Sequence, residues 1–205
     1  MILNRFDYES LRPAPWKNGG GLTREIVSLG DPFDWRVSIA EVASDGPFSV
    51  FEGIDRTIVL LEGSGLHLQS FDGTLEHRLE QPLQPFDFSG DLQLDSSQLG
   101  GASCDFNVMT RRSRGRSTVR VHHAGGELPS AARGLIYIAS GQWSVEVASA
   151  TQVPAGDQEK KTALLLQARQ GLWWSCGLPT LHVNLLSQTP IAAAPALIAV
   201  TWSQT

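Results

Sequence analysis

Apolar residues along this chain come in short runs that alternate with polar residues or are continuous, and Gly, Pro, Asp and Ser separate the runs. This pattern predicts β-strands, because the 3.6-residue period of an amphipathic helix is rare in it. The predicted strands are Thr23–Ser28, Trp35–Val42, Gly46–Phe51, Arg56–Glu62, Gly65–Ser70, Leu75–Leu79, Gln84–Phe88, Cys104–Thr110, Ser117–His122, Gly134–Ala139, Trp143–Ala148, Ala163–Gln167, Gly171–Ser175, Leu181–Leu186 and Leu197–Trp202. Besides a few loop stretches, only Ser130–Arg133 leaves room for a helical turn, so the pattern favours a β-sandwich or β-barrel.

The strand pattern is also repeated within the chain. Three pairs of segments match in the same order: Ile58–Gly63 with Ile136–Gly141, Ser89–Asp91 with Ala155–Asp157, and Asp105–Met109 with His182–Leu186. The first pair is offset by 78 residues and the last by 77. A single match between short apolar strands arises easily by chance, but three in one order predict an internal duplication.

Each predicted copy combines a strand-Gly-strand hairpin with a later Gly-Asp turn, which is typical of a cupin barrel. The predicted fold class is therefore all-β, a tandem cupin (bicupin) of two jelly-roll β-barrels that arose by internal duplication. We expect a first barrel with a ligand pocket over residues 1–115 and a degenerate second barrel over residues 116–205. Pairing two small barrels hides sheet edges and adds buried apolar area.

The formal net charge is −5, from 16 basic and 21 acidic residues. A general surface for nucleic acid or for an anionic membrane is therefore not expected. The one basic run, Arg111–Arg116, is interpreted as a solvated linker, with a polyanion contact as the alternative. Two cysteines are too few for a disulfide framework or a zinc cluster. No signal peptide is recognised and the apolar run Ile191–Trp202 is too short to span a bilayer, so we expect a cytoplasmic protein.

Candidate binding chemistry is concentrated in Pro15–Glu25, which contains three consecutive glycines, Gly19–Gly21. The glycines allow close backbone approach, and the neighbouring side chains supply stacking, charge and hydrogen bonds. The candidate ligand-binding residues of this segment are Trp16, Lys17, Asn18, Thr23 and Arg24. Their composition predicts a carboxylate-binding edge. The alternative is a solvated loop before the first strand, with the tryptophan as part of the core.

This segment resembles the opening signature of the HutD/Ves family, which is linked to bacterial histidine utilisation. The resemblance continues through Phe33–Ala40, Asp45–Ser49, Gly53–Arg56 and Asp105–Met109, within roughly the first 110 residues. It implies a role in regulating or buffering histidine breakdown. The ligands it implies are urocanate, formiminoglutamate, formylglutamate or formate, which are small anions with a planar nitrogen- or oxygen-bearing end.

Strand alternation identifies the remaining candidates. Arg36 and Ser38 share one face of a strand, and they are either solvated or buried hydrogen-bonding groups beside a cavity. The family resemblance favours the second arrangement. Asp105 and Asn107 share a face of another strand, where such residues have poor β propensity. They are interpreted as ligand contacts, as a structural pair, or as both. Arg56 is either a further ligand contact or one half of a surface ion pair.

The usual cupin metal ligands are missing from the sequence. The cupin template G-x5-H-x-H-x3-E-x6-G fits the glycine spacing from Gly46 to Gly65, but its ligand positions hold Glu52, Ile54 and Ile58. Aliphatic side chains do not coordinate metal ions. The sequence therefore predicts no metal site and no cofactor.

Catalytic machinery is not recognisable either. No serine or cysteine lies in a nucleophile arrangement, and paired carboxylates on one strand face are missing. The sequence therefore predicts a metal-free protein that binds a small carboxylate metabolite rather than an enzyme. The alternatives are a metal-independent cupin isomerase or hydrolase acting on such a metabolite, and a structural or protein-binding module, including a homodimer.

Overall fold

The structure is a computed structural model that describes residues 2–147, 163–178, 180–187 and 194–205. Apart from one 3-10 turn, Tyr8–Ser10, the regular structure in these ranges is all β. In chain order the strands are β1 Ile2–Asp7, β2 Pro13–Pro15, β3 Gly21–Gly30, β4 Phe33–Val42, β5 Gly46–Phe48, β6 Ile54–Gly63, β7 Leu66–Ser70, β8 Glu76–Leu79, β9 Pro85–Ser89, β10 Leu94–Gln98, β11 Ser103–Arg111, β12 Gly115–His122, β13 Gly126–Leu128, β14 Ala131–Ser140, β15 Gln142–Val147, β16 Ala163–Gln167, β17 Gln170–Leu178, β18 Leu181–Ser187 and β19 Ala196–Gln204. The described residues contain no helix long and apolar enough to cross a membrane.

Contact density divides the chain into two compact units. The first unit contains residues 9–119 and 204–205, and the second contains the described parts of residues 1–8 and 120–203. Contact density does not show which segments fold by themselves, so the domain limits 1–115 and 116–205 stay a prediction.

The first unit is built from two antiparallel sheets. One has the strand order β2-β3-β4-β11-β6-β9 and the other β5-β10-β7-β8. Ile58 and Leu60 on β6 form a buried cluster with Leu79 on β8 and Leu94 on β10. This cluster shows which face of the six-stranded sheet looks toward the four-stranded sheet, and that face is called the inner face below.

The second unit repeats this arrangement with sheets β1-β17-β14-β19-β12 and β13-β18-β15-β16. Its interior is an apolar cluster that includes Ile136, Ile138, Trp174, Leu197 and Ala199. The four-stranded orders β5-β10-β7-β8 and β13-β18-β15-β16 correspond strand for strand, and so do β4-β11-β6-β9 and β12-β19-β14-β17. The strand topology therefore supports the predicted duplication.

A β-bulge at the same place in both units fixes the alignment of the two copies. On β6 the extra residue is Leu61, directly after the position opposite Asp105. On β14 the extra residue is Ala139, directly after the position opposite Leu197. Bulges are specific local features of a strand pair, so we align Leu61 with Ala139 and Asp105 with Leu197.

This alignment corrects one of the sequence matches. The pairing of Ile58–Gly63 with Ile136–Gly141 joins β6 to β14 and is consistent with the topology. The pairing of Asp105–Met109 with His182–Leu186 is wrong, because the counterpart of β11 is β19 and the counterpart of β18 is β10. Short apolar strands resemble one another in sequence, whereas their hydrogen-bonding partners differ. Residues 155–157, from the third match, lie outside the described residues.

Two local interpretations of the sequence are also wrong. The expected helical turn at Ser130–Arg133 is the start of β14. The expected linker Arg111–Arg116 is a tight turn from β11 into β12, and three of its four arginines, all except Arg116, form ion pairs with acids of the first unit. Arg112 contacts Asp55 at 2.8 Å and Asp91 at 3.0 Å. Strands β1, β2, β10 and β13 were not foreseen, since short or polar segments give little periodic signal.

Candidate functional site

A cavity of about 560 Å³ lies in the first unit. Its lining residues are Ala14, Pro15, Trp16, Lys17, Asn18, Thr23, Arg36, Ser38, Ala40, Pro47, Phe48, Ser49, Phe51, Arg56, Asn107 and Met109. The charged members of this described lining are three cations and no acid, although the chain as a whole carries a net charge of −5. The size and the mixture of apolar walls with a few polar groups are those of a small-molecule site.

Alternation along β4 places three residues in the cavity wall. Arg36 and Ser38 line the cavity together with Ala40, while Trp35 and Val37 on the opposite face are fully buried. The polar face of β4 therefore points into the barrel. The Arg36 Nε donates to Glu25 Oε2 at 2.7 Å, and one of its terminal nitrogens lies 3.8 Å from the sulfur of Met109.

Arg56 on β6 is the most deeply buried cation of the cavity, with 5% of its surface exposed. Its terminal nitrogens donate to the Ser49 carbonyl oxygen at 3.1 Å and to Asn107 Oδ1 at 3.0 Å. Its Nε is buried and has no partner among the described residues. In this part of the chain, none of the ion pairs includes Arg56, so its positive charge is not balanced by a carboxylate.

Aromatic rings supply most of the surroundings of this guanidinium. The Arg56 Cζ lies 4.7 Å from the ring centroid of Phe48, 5.4 Å from that of Phe51 and 4.9 Å from that of Phe88. Burial and, secondarily, the nearby Arg36 lower the pKa of Arg56 to about 9. Arg56 is therefore still charged at neutral pH. Cation–π contacts stabilise such a charge only in part.

The contact with Arg56 also orients the side chain of Asn107. Because a guanidinium can only donate hydrogen bonds, the amide oxygen of Asn107 must face Arg56. The amide nitrogen, with its two N–H donors, is left for another partner. Asn107 lines the cavity beside Arg56, so this nitrogen adds donors to a site that already holds an unbalanced cation.

The three consecutive glycines lie in a tight turn that places Trp16 against β3. Trp16 N donates to the Gly21 carbonyl oxygen at 2.9 Å, and Gly19 N, at φ +73°, donates to the Trp16 carbonyl oxygen at 3.0 Å. Gly20 N donates to Asn18 Oδ1 at 3.0 Å. The amides of Gly19 and Gly20 are thus satisfied within the loop and are not an anion-binding nest. Trp16 Nε1 donates to Thr23 Oγ1 at 2.8 Å and places the indole at the cavity.

Replacing Gly21 with alanine should destabilise this loop. A Cβ at Gly21 would clash with the backbone carbonyl oxygen of Glu41 and press on the ring of Trp16 at 3.2 Å. We expect a loss of about 2 kcal/mol in the free energy of unfolding, measured by urea denaturation. Gly126→Ala is the matched control, because a Cβ at Gly126 meets no atom within 4 Å. Equal stability of the two variants would contradict the packing of Trp16 on Gly21.

Eight of the ten candidate residues predicted from the sequence line the cavity, namely Trp16, Lys17, Asn18, Thr23, Arg36, Ser38, Arg56 and Asn107. Arg24 does not. It donates to the Leu11 carbonyl oxygen at 2.8 Å and lies 3.6 Å from Glu41. Neighbouring residues of a strand point to opposite faces, and Thr23 occupies the cavity side of β3.

Asp105 also stays outside the cavity lining, although it shares a strand face with Asn107. Only 1% of its surface is exposed, and neither carboxyl oxygen has a hydrogen-bond partner in the described part of the chain. Burial raises the pKa of Asp105 to about 7. As a structural pair, Asp105 and Asn107 were expected to tie the end of the barrel to the N-terminal arm, whereas Asn107 bonds to Arg56 on β6 and the Asp105 oxygens have no partner among the described residues.

Sequence reasoning missed the aromatic side of the site, which Phe48 and Phe51 provide. The signal that points to them is an arginine, Arg56, on the face of its strand that otherwise carries Ile58 and Leu60. A buried arginine needs aromatic or polar neighbours, and Phe48 and Phe51 precede this strand in the sequence. The surface ion pair considered for Arg56 is made by Arg112 instead, which bonds to Asp55.

The positions that hold the metal in the cupin template do not fit a metal ion here. Ile54 and Ile58 are buried, with 2% and 0% of their surface exposed, and they carry no donor atoms. Within the described ranges, no three His, Cys, Asp or Glu side chains come together as a ligand group. The site offers hydrogen-bond donors and cations instead.

The duplicated unit shows which residues this fold accepts at the aligned positions. By the bulge alignment, Arg56 corresponds to Gly134 and Asn107 to Ala199. A Cβ at Gly134 would overlap the ring of Trp174, so that indole occupies the space next to the backbone. The polar groups of the first unit are therefore not required by the barrel itself.

A family model covers all the residues that line this cavity. The sequence model of HutD matches residues 8–190. The chain belongs to the HutD family. It is 37% identical over 179 residues to Protein Ves of Escherichia fergusonii, a match that covers 82% of this chain and 92% of that protein. The resemblance inferred from the sequence is thereby confirmed.

Solved structures agree with membership of the HutD family. A conserved protein of unknown function from Pseudomonas aeruginosa matches with a TM-score of 0.81 and 28% identity, over 100% of both chains. HutD from Pseudomonas fluorescens matches with a TM-score of 0.75 and 27% identity, over 98% of this chain and 100% of that one. A mutant oxalate decarboxylase from Bacillus subtilis shares the fold alone, with a TM-score of 0.64 at 8% identity, over 98% of this chain and 77% of that chain. The predicted tandem cupin fold is confirmed.

Proposed function

We propose that this HutD-family protein binds a small carboxylate metabolite in the cavity of its first unit. The family links the proposal to histidine degradation, with urocanate, formiminoglutamate, formylglutamate and formate as candidate ligands and a regulatory or buffering role. HutD from Pseudomonas fluorescens was solved in a formate condition, and formate is the smallest of these acids.

The observation that carries the proposal is the buried, unbalanced charge of Arg56. A buried cation is normally paired with an anion, because removing it from water is costly. Here the guanidinium keeps an unsatisfied N–H, and the amide nitrogen of Asn107 lies beside it. A carboxylate has the charge and the acceptor oxygens that both groups need.

Other cavity residues suit the same ligand. Lys17 adds positive charge at the cavity, Arg36 adds N–H donors while Glu25 balances its charge, and Ser38 adds a hydroxyl group. Trp16 provides a flat apolar surface over which a planar acid can stack. The ligand that fits these residues is therefore small, planar and anionic.

Thermal-shift measurements with the four candidate acids test this function. A ligand that binds only the folded protein must raise the melting temperature as its concentration increases. We expect at least one of the four acids to do so in the wild type and to lose the effect in Asn107→Ala. Arg78→Ala is the matched control, because Arg78 is an exposed residue of β8 that lies outside the cavity lining.

Two results would contradict the proposal. If none of the four acids stabilised the protein, the proposed binding function would be wrong. If the shift in melting temperature were unchanged in Asn107→Ala, the ligand would bind outside this cavity. The raised pKa of Asp105 favours a second candidate, a metal-independent enzyme. Product formation from urocanate or formiminoglutamate during the incubation would support that alternative. The homodimer and the cytoplasmic location stay predictions.

A further inference from the structure

Asp105 is a buried acid for which the barrel offers no partner. It lies on the inner face of β11, opposite Ala40 on β4 and Leu60 on β6. Ala40 lines the cavity, and so does Asn107, two residues along the same face of β11. Asp105 is thus directly behind the cavity wall, about 7 Å along the strand from Asn107.

The duplicated unit shows that the fold does not need an acid at this position. Leu197 is the counterpart of Asp105 and is fully buried in an apolar cluster. A carboxyl group that accepts no hydrogen bond is unfavourable in such surroundings. The barrel is complete with leucine at this position, so the fold does not require the acid, and the feature next to Asp105 is the cavity lined by Ala40 and Asn107.

The charged groups that share this interior are all at or near the cavity. They are Arg36 on β4, Arg56 on β6, Lys17 in the loop before β3, and Glu25 on β3, which is bonded to Arg36. The buried positions of the facing sheet are uncharged: Leu66, Leu68 and Ser70 on β7, Leu79 on β8, and Leu94 and Ser96 on β10. The titratable group on the same face is His77 of β8, which lies opposite Leu68 and stacks on Phe86, and burial lowers its pKa. In the strand register, Arg36 on β4 and Arg56 on β6 both lie opposite Met109 on β11. Met109 is two inward-facing positions along β11 from Asp105. Burial alone accounts for the raised pKa of Asp105.

We propose that Asp105 makes anion binding at this cavity pH-dependent, because the anion binds when the neighbouring Asp105 carboxyl group is protonated and is repelled when it is ionised. The proposal rests on the carboxylate-binding function proposed above. An ionised Asp105 would put a second negative charge close to the bound carboxylate in a region of low dielectric, where like charges repel strongly. The proton comes from the solvent, so ionised Asp105, one proton and the free anion combine into a complex with protonated Asp105.

The proposal predicts a specific pH dependence of binding. With a pKa of about 7, Asp105 is mostly protonated at pH 6 and mostly ionised at pH 8. We expect the dissociation constant of formylglutamate or formate to increase about tenfold from pH 6 to pH 8, because only the protonated fraction binds. Arg56 remains charged over this range, since its pKa is about 9. The carboxyl groups of both probes stay ionised.

Isothermal titration calorimetry of the full chain measures this linkage directly. Titrations at pH 8 in HEPES and in Tris, which differ in ionisation enthalpy, should show the uptake of close to one proton per anion bound. In Asp105→Asn the side chain is always neutral, so binding should be independent of pH between 6 and 8 and should take up no proton. Asp95→Asn removes an exposed acid of β10 and should retain the wild-type pH dependence.

Each outcome separates this inference from the binding function. Absence of binding by all four candidate acids at pH 6 would overturn both proposals. Binding that is independent of pH in the wild type would overturn only the role of Asp105. Affinity that rises with pH would overturn it as well, because an ionised Asp105 would then be favoured by the ligand. Melting curves of the two variants establish that they are folded at each pH.

Discussion

Replacing Arg56 with methionine is expected to weaken the binding of formylglutamate or formate by at least about 100-fold, because it removes a buried charge that meets the carboxylate. The same change should leave the protein at least as stable as the wild type. Arg56 forms no ion pair among the described residues, and methionine fills a similar volume next to Phe48 and Phe88. Replacing a buried charge with a packed apolar side chain is often neutral or stabilising.

Calorimetric titration at pH 6 and urea denaturation measure the two effects. Arg112→Met is the matched control, because this arginine is half exposed and its ion pairs are with Asp55 and Asp91 at the surface. It should bind the acids as the wild type does. A wild-type affinity in Arg56→Met would exclude the guanidinium as the carboxylate partner, and a large loss of stability would show that Arg56 holds the barrel together.

Replacing Asp105 with leucine is expected to stabilise the protein, by about 3 kcal/mol at pH 8. Burial raises the pKa of this carboxyl from 3.8 to about 7, so between these two values the folded protein binds more protons than the unfolded chain. The contribution of Asp105 to stability therefore falls as the pH rises through this window, and the loss is complete above pH 7. At pH 4 the gain from leucine should be much smaller, and the greater volume of leucine reduces it at every pH.

Urea denaturation of the wild type and Asp105→Leu at pH 4 and pH 8 tests this expectation. The reciprocal change in the duplicated unit, Leu197→Asp, is the matched comparison, because it places an acid at the aligned position of an apolar interior. It should destabilise the protein strongly at pH 8. A destabilised Asp105→Leu at pH 8 would mean that the carboxyl group has a stabilising partner in the folded protein.

The fold was predictable from local pattern, whereas partnerships between distant residues were not. The alternation of Arg36 and Ser38 with apolar residues on β4 already places them on one face. The shared face of Asp105 and Asn107 does not show whether Asn107 meets the N-terminal arm or Arg56, because the answer depends on the register of neighbouring strands. The glycine-rich loop was recognised as important, but its amides serve a tight turn rather than a ligand.

The duplication gives a similar lesson. Apolar content identified β6 and β14 as related, but it matched β11 with β18 because short strands of aliphatic residues differ little in sequence. The bulge that follows the positions opposite Asp105 and Leu197 is a better marker, since it is set by backbone hydrogen bonding. No periodicity in the sequence encodes such a feature.

The apolar filling of the second unit has an evolutionary consequence. If Arg56 in the cavity and Asp105 beside it are costly to the fold, selection for heat resistance alone would replace both with apolar residues, as the second unit has Gly134 against Trp174 and Leu197 at the aligned positions. Library selections on this protein would then find thermostable clones that have lost the ligand. A design programme should therefore screen for retention of the small acid alongside every gain in melting temperature.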